Sequence, residues 1–343
     1  MTDDHAVQAQ GIVKRYGSNT ALAGIDLDVA TGTVTAVLGP NGAGKTTAVR
    51  ILTTLTDADE GQARVAGYDV RTQPREVRRR IGLAAQDATV DPLLTGRENL
   101  VMMGELHQLR RRDAMSRAGE LLTDFSLDDA ADRVASGYSG GMRRRLDLAA
   151  TLVARPQVLF LDEPTTGLDP RGRAELWVVL DTLVDRGTTV VLTTQYLEEA
   201  ERLADDIVVV DHGRIIARGD ARKLKREVGS DQIQVVVVEP GQLDEAANIL
   251  AETTDSRPTI DVAARSATAP TSQGVEGLVA VAKRLAEARI TIDDLGLHQP
   301  TLDEVFLTLT GSPTPDVGPG PERPPERGDD PAVDPRTAQE ATV

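Results

Sequence analysis

Residues 39–47 read GPNGAGKTT, and this stretch decides how the rest of the chain is read. Gly39 to Thr46 fit the pattern G-x-x-x-x-G-K-[ST]. In such a loop the glycines let successive backbone N–H groups wrap phosphate oxygens at a helix N-terminus, where the helix dipole is positive. Gly39, Pro40, Asn41, Gly42, Ala43 and Gly44 form the expected cradle, and Thr47 follows it into the helix. Lys45 is placed to reach the β and γ phosphates, and the Thr46 hydroxyl to ligate Mg²⁺. The pattern has meaning only between a strand and a helix. TVTAVLGP at 33–40 is an apolar run ending in glycine, and AGKTTAVRILTTL carries helical spacing, so both flanks are right.

Working outward, QAQGIVKRYG and GIDLDVATG read as strands ahead of the loop. From 87 the character turns helical: Thr95 and Glu98 make a T-x-x-E capping box before NLVMMGELHQL, and a second amphipathic stretch covers roughly 113–124. An inserted helical lobe over about 87–150 is expected. VLFLDEP at 158–164, AELWVVLDTLVD, TTVVLTT at 188–194, LEEAERLAD and the hairpin IVVVDHGRIIARG then restore the alternation of a mostly parallel sheet. The fold class is α/β: a P-loop NTPase core over 1–221 with the helical lobe inserted. Beyond 222, IQVVVVE, DEAANILAE, TIDVAA, GVEGLVAVAKRLAEA, RITIDDLG and TLDEVFLTL alternate strand and helix, which predicts a small α+β accessory domain over 222–310. The tail from Gly311 to 343 holds eight of the 18 prolines and almost no apolar residues, so it is expected to be disordered.

Composition narrows the function classes. The chain has 343 residues, enough for about two domains. Its 38 Lys and Arg against 54 Asp and Glu give a net charge of −16, which disfavours nucleic acid as a partner. There is no cysteine, so disulfides and zinc–thiolate sites are excluded. His5, His107, His212 and His298 lack metal-ligand spacing and read as surface or turn residues. The N-terminus MTDDHAVQAQ shows no secretory pattern, and no apolar run approaches the ~18 residues of a membrane span, so a location inside the cell is expected.

Two further stretches carry chemistry. Asp162 and Glu163 close the apolar run VLFL, placing two carboxylates at the carboxyl end of a buried strand, where ligands bind in such sheets. Asp162 suits the Mg²⁺ shell and Glu163 a general base that polarises the attacking water. At 138–150, YSGGMRRRLDLAA begins with Ser139, Gly140 and Gly141, which free N–H groups at a helix start to face an anion. Arg143, Arg144 and Arg145 fall in its first turns, where positive charge opposes the dipole unless an anion is near; they read equally as a solvated basic face or as phosphate contacts. Trp177, with Leu176 and Leu180, reads as core.

GPNGAGKTT, Gln86, YSGGM, LFLDEPTTGLDP and the segment around Gln195 follow one another in the order seen in ATP-binding subunits of ABC transporters, which the chain resembles over about residues 6–220. TTQYLEEAERLAD and PTLDEVFLTLTG further resemble the branch of daunorubicin/doxorubicin-resistance ATP-binding subunits, extending the similarity to about residue 311. The resemblance implies ATP and Mg²⁺ as ligands. It implies that two copies stack head to tail, with Ser139, Gly140 and Gly141 of one copy closing on the γ-phosphate held by the other's loop. This would explain a second anion cradle with no lysine of its own. It also implies adenine stacking for Tyr16, a magnesium or water contact for Gln86, and communication across the dimer for Asp169. Tyr138 and Met142 depart from the commoner Leu and Gln of the motif. Gln195 stands where most members place a histidine; an amide donates a hydrogen bond but cannot become cationic at neutral pH. Either the site is slow, or Lys45 and Glu163 suffice and Gln195 positions phosphate and water.

The function expected from the resemblance is ATP hydrolysis at the cytoplasmic face of the membrane. It would drive efflux of a hydrophobic compound through a separate integral membrane permease. The alternative is a soluble ABC ATPase acting on nucleic acid or ribosomes. A single motif set, a short lobe and the acidic balance count against it.

Overall fold

The computed structural model describes residues 5–85, 89–228, 231–298 and 301–310. In chain order these are β1 (His5–Tyr16), β2 (Asn19–Ala30), β3 (Val34–Leu38), α1 (Lys45–Leu52), β4 (Glu60–Val65), β5 (Tyr68–Asp69), α2 (Pro74–Arg78) and β6 (Ile81–Ala84). Three lobe helices follow, α3 (Gly96–Leu106), α4 (Arg111–Asp124) and α5 (Gly140–Thr151). The core resumes with β7 (Val158–Asp162), α6 (Pro170–Asp185), β8 (Thr189–Thr194), α7 (Leu197–Leu203), β9 (Asp206–Asp211) and β10 (Arg214–Gly219). Last come α8 (Ala221–Val228), β11 (Gln232–Val237), α9 (Leu243–Thr254), β12 (Thr259–Asp261), β13 (Ser266–Pro270), α10 (Gly274–Glu287), β14 (Ile292–His298) and α11 (Leu302–Thr310).

The central sheet runs β10-β9-β3-β8-β7-β6, with parallel pairing everywhere except at the β9–β10 hairpin. Every residue of β3, β7 and β8 is buried, which is why their sequences are mostly apolar runs with a few threonines and a terminal Asp162 instead of alternations. The two faces still separate by the period of two. Ala36, Leu38, Leu159, Leu161, Val190, Leu192, Ile207 and Val209 meet the helical side, whereas Val37, Val158, Phe160, Val191, Val208 and Val210 meet the other. On that second side lie α1 and the antiparallel sheet β2-β1-β4-β5, so Val49, Ile51 and Leu52 are sandwiched between sheets. All strand carboxyl ends of the parallel block open on one edge, where the loop 39–44 sits.

The capping box forms as expected, Thr95 accepting from Glu98 N while Glu98 accepts from Thr95 N. The second lobe helix begins two residues before the 113 expected. His212, with φ +45, and Gly213, with φ +72, make the two-residue turn of the β9–β10 hairpin, the left-handed pair such hairpins require.

Residues 231–298 fold on their own apolar core: Ile233, Val235 and Val237 of β11 face Leu250 of α9 and Val281 and Leu285 of α10. The order β12-β13-β11-β14 with two helices is the split βαβ arrangement. The elements on either side of it go elsewhere. Leu224 of α8 and Leu302, Val305 and Phe306 of α11 are buried in the larger core with Leu203 and Ala200 of α7. The chain thus returns to the first domain after leaving it, although the sequence pattern grouped both helices with the accessory segment. Trp177 is partly buried against the same core. The tail from 311, whose disorder the composition suggests, lies outside the described residues.

Candidate functional site

The loop after β3 is shaped by close backbone approaches. A Cβ on Gly39 would stand 2.2 Å from the Val210 carbonyl oxygen, and one on Gly44, at φ +108, would stand 2.5 Å from that of Ala21. Both positions exclude any side chain. Gly39 N donates to Thr194 O, and Ala43 O accepts from Gly213 N at 3.0 Å, so β8 and the β9–β10 turn hold the loop from either side. No side chain caps α1 at Gly44. With no such cap among the described residues, the first N–H groups of that helix leave a start of the kind that favours an anion.

Four side chains converge there. Lys45 is 4% exposed, and its Nζ donates to Gly39 O at 2.7 Å and Pro40 O at 3.0 Å, with Glu163 Oε1 at 3.7 Å. Burial pulls the Lys45 ammonium below its ordinary value, and the Glu163 and Asp162 carboxylates oppose that shift. Thr46 Oγ1 donates to Asp162 Oδ1 at 3.1 Å. Two hard oxygens so placed, one anionic, fit a cation such as Mg²⁺ that takes few protein ligands and completes its shell with water and phosphate. No cluster of three or more His, Asp or Glu occurs among the described residues, so this is no all-protein cage. Gln86, the remaining ligand candidate, lies outside the described residues.

Glu163 sits at φ +48, a left-handed conformation that is uncommon outside glycine. Its amide donates to both the carbonyl and the hydroxyl of Thr193, each at 3.1 Å. Tyr16, at the end of β1, is 49% exposed and borders with Asn41, Gly42, Lys45, Thr46 and Glu163 a recess of about 370 Å³. Thr47 lines the same recess. Gln195 follows β8, and its Oε1 is buried without a hydrogen-bond partner among the described residues. Asp169 caps α6, its Oδ1 accepting from Gly172 N at 2.9 Å.

Ser139 caps α5, accepting from Met142 N at 3.2 Å. A Cβ on Gly140 or Gly141 would meet nothing within 4 Å. Nothing within the chain demands glycine at either position, although glycine in a helix costs about 1 kcal/mol against alanine. Of the three arginines after them, Arg144 is turned mostly inward. Its guanidinium, 13% exposed, donates to the carbonyls of Ala85 at 2.8 Å and Pro164 at 2.9 Å. Arg145 donates to Phe125 O at 3.1 Å and pairs with Glu175.

This arrangement can be set beside known proteins. The family model described as ABC transporter matches residues 22–166. A daunorubicin resistance ATP-binding protein of Streptomyces coeruleorubidus is 54% identical over 91% of this chain and 97% of its own length. The chain belongs to the ATP-binding subunits of ABC transporters. A daunorubicin/doxorubicin resistance ATP-binding protein of Streptomyces peucetius is 47% identical over 91% of this chain and 94% of its own. Among solved structures, a component of an ABC transporter complex from Clostridium perfringens superposes with a TM-score of 0.60 at 25% identity, covering 66% of this chain and 95% of that one.

As an ABC ATP-binding subunit the chain binds ATP and hydrolyses it to drive transport. Such subunits dimerise and work with a membrane permease. No helix among the described residues is long and apolar enough to cross a membrane. The reading as a soluble ATPase of nucleic acid or ribosomes gains nothing from these relatives.

Three residues of this ABC ATPase escape a reading of sequence. Thr193 is fully buried, and its hydroxyl donates to Asp162 Oδ1 at 2.5 Å while accepting from Glu163 N, so one side chain orients both carboxylate residues. Arg144 is the second. The third is Glu199 of α7, 1% exposed, with neither carboxylate oxygen hydrogen-bonded among the described residues. Thr194, Thr165, Trp177 and Arg173 surround it short of hydrogen-bond geometry, and burial pushes its pKa up to about 7. Only position within an apolar run, or an acidic residue in an amphipathic helix, stood for these in sequence.

Proposed function

We propose that this subunit powers efflux of a hydrophobic compound, of the drug- or antibiotic-resistance type, through a separate integral membrane permease. It acts as a second copy's partner at the cytoplasmic face of the membrane, held there peripherally. The names of its relatives support the cargo class, and the geometry supports the chemistry.

In each copy Tyr16 would stack on the adenine and the amides of 39–47 would wrap the phosphates. Lys45, whose ammonium now rests on two carbonyls of the loop, would turn those hydrogen bonds onto the β and γ phosphates. Thr46 and Asp162, with Gln86, would hold Mg²⁺, which supplies charge neutralisation between the phosphates when bound. Gln195 would position the γ-phosphate and the lytic water by donated hydrogen bonds. Glu163 would take a proton from that water as its oxygen bonds to the γ-phosphorus and the bond to the β-phosphate oxygen breaks, leaving ADP and phosphate. Such a base contributes roughly 10²–10⁴ in rate.

Ser139, Gly140 and Gly141 would close over the γ-phosphate of the other copy, with Asp169 beside the shared boundary. One observation carries this reading: two glycines face open space at an exposed helix start with no internal need for them. They leave room for something from outside to approach the backbone. ATP binding then clamps two copies and hydrolysis releases them.

The test is Glu163→Gln in the full chain, assembled with its permease. ATP should be bound and retained, the two copies should stay associated, and turnover should fall at least about 100-fold. Retained turnover, or a variant that stays monomeric with ATP, would falsify the assignment.

A further inference from the structure

We infer that Arg144 is a positioning residue that ties the serine–glycine turn of each copy to the Glu163 of the same copy. The inference rests on the two-copy reading proposed above. Arg144 lies five residues beyond Ser139 on α5, the helix whose start bears that turn. Its fork reaches across to the strand ends of the central sheet. Nε donates to Pro164 O at 2.9 Å, Nη1 to Ala85 O at 2.8 Å, and Nη2 approaches Asp162 O at 3.4 Å. Asp162 and Pro164 are the two neighbours of Glu163 in the chain.

Glu163 is therefore held from two directions. Thr193 of β8 takes its amide, and α5 takes the carbonyls on either side of it. A residue at φ +48 persists only where its surroundings over-determine it, and Arg144 is half of that constraint. Asp147, fully buried one turn along, sits 3.5 Å from Nη1 and is itself fixed by Thr89 N at 2.7 Å and Thr89 Oγ1. A buried ion pair adds little stability over packed apolar residues, but its direction is fixed. The planar fork matters here more than the charge. Arg144 reaches its three carbonyls with three different nitrogens, whereas lysine gathers all its donors on one nitrogen and cannot reproduce that spread.

The consequence is a short mechanical link. When Ser139 to Gly141 of one copy meet ATP on the other, any shift of α5 reaches Asp162 and Pro164 through one side chain. It thereby sets the aim of the base in the copy that donated the turn. Each site then reports its own closure to the neighbouring site's hydrolysis. Spatial proximity alone does not establish such coupling, so the test places the substitution in cis and in trans.

Transporters are assembled with the permease from two differently tagged full-length copies, one carrying Glu163→Gln, so that a single base remains. Arg144→Gln on the copy with intact Glu163 should lower kcat about tenfold or more, as expected when a reacting group is displaced by a fraction of an ångström, with the ATP KM within about twofold. The same substitution on the Glu163→Gln copy should leave turnover within about twofold. Arg144→Lys should behave as Arg144→Gln does. Equal losses in both placements, a loss confined to the Glu163→Gln copy, or full recovery by lysine each overturns the inference. Should Arg144→Gln not assemble, the lysine variant is read by placement in the same way. Ser139→Ala on the Glu163→Gln copy separates the two claims: if it leaves the remaining turnover intact, the shared site itself is wrong, and the inference falls with it.

Discussion

Replacing Thr193 by valine keeps the shape of a fully buried side chain and removes one hydroxyl. That hydroxyl donates to Asp162 at 2.5 Å and accepts from Glu163 N at 3.1 Å. The Glu163 amide retains the Thr193 carbonyl, so its loss is small. Asp162 loses a charge-assisted hydrogen bond worth about 1.5–3 kcal/mol. An added buried methyl offsets about 0.8 kcal/mol, leaving the fold weaker by roughly 1–2 kcal/mol. The functional loss should be larger. Once Thr46 turns its hydroxyl to a cation, Thr193 is the neighbour left to orient Asp162. Removing such an outer partner costs about 10–100-fold in metal affinity or activity. The assay is ATP turnover of the assembled transporter against Mg²⁺ concentration for Thr193→Val and Thr193→Ser. The valine variant should need more Mg²⁺ and turn over at least about tenfold more slowly, with serine near the parent. Valine turnover within twofold of the parent, at unchanged Mg²⁺ half-saturation, would refute the role.

Gly39→Ala would drive a Cβ to 2.2 Å from the Val210 carbonyl, a backbone atom that cannot rotate away. The loop must shift by about 1 Å, and nucleotide affinity or turnover should fall on the order of 100-fold in fluorescent-ATP binding and steady-state assays. Glu199, pushed up to about 7 from an ordinary 4.5, holds a proton in the folded chain that the unfolded chain has lost between those values. Stability therefore falls as pH rises through that window. Glu199→Gln should flatten the slope and raise stability at pH 8 in urea denaturation, and a variant weaker than the parent at pH 8 would contradict the assignment. Phe306→Ala, in α11, should destabilise by about 3–5 kcal/mol. Hydrogen exchange should rise in the larger core and not within 231–298; the reverse pattern would show that α11 belongs energetically to the smaller unit.

The parts of this protein that sequence made legible are those whose physics is local. A glycine loop between an apolar strand and a helix determines its own shape, because strand, turn and helix start are contiguous at 33–52. Thr95 and Glu98 announced a helix start because a capping box lies within four consecutive residues. Asp162 and Glu163 were visible because two carboxylates close an apolar run, at the strand end where ligands bind in such sheets.

Tertiary structure alone decided what holds those groups in place. Thr193 lies 31 residues from Asp162 inside a run of strand formers, and its hydroxyl matters only because β7 and β8 are paired in register. Arg144 read equally as solvated charge or as a phosphate contact; its partners are backbone carbonyls 18, 20 and 59 residues away, which no side-chain pattern encodes. α11 reads as one more amphipathic helix. Its apolar face could have covered either core, and only the packed chain shows that it closes on α7 and α8. Residue type and short spacing set the chemistry, whereas the aim of each group comes from hydrogen bonds closed across distant segments.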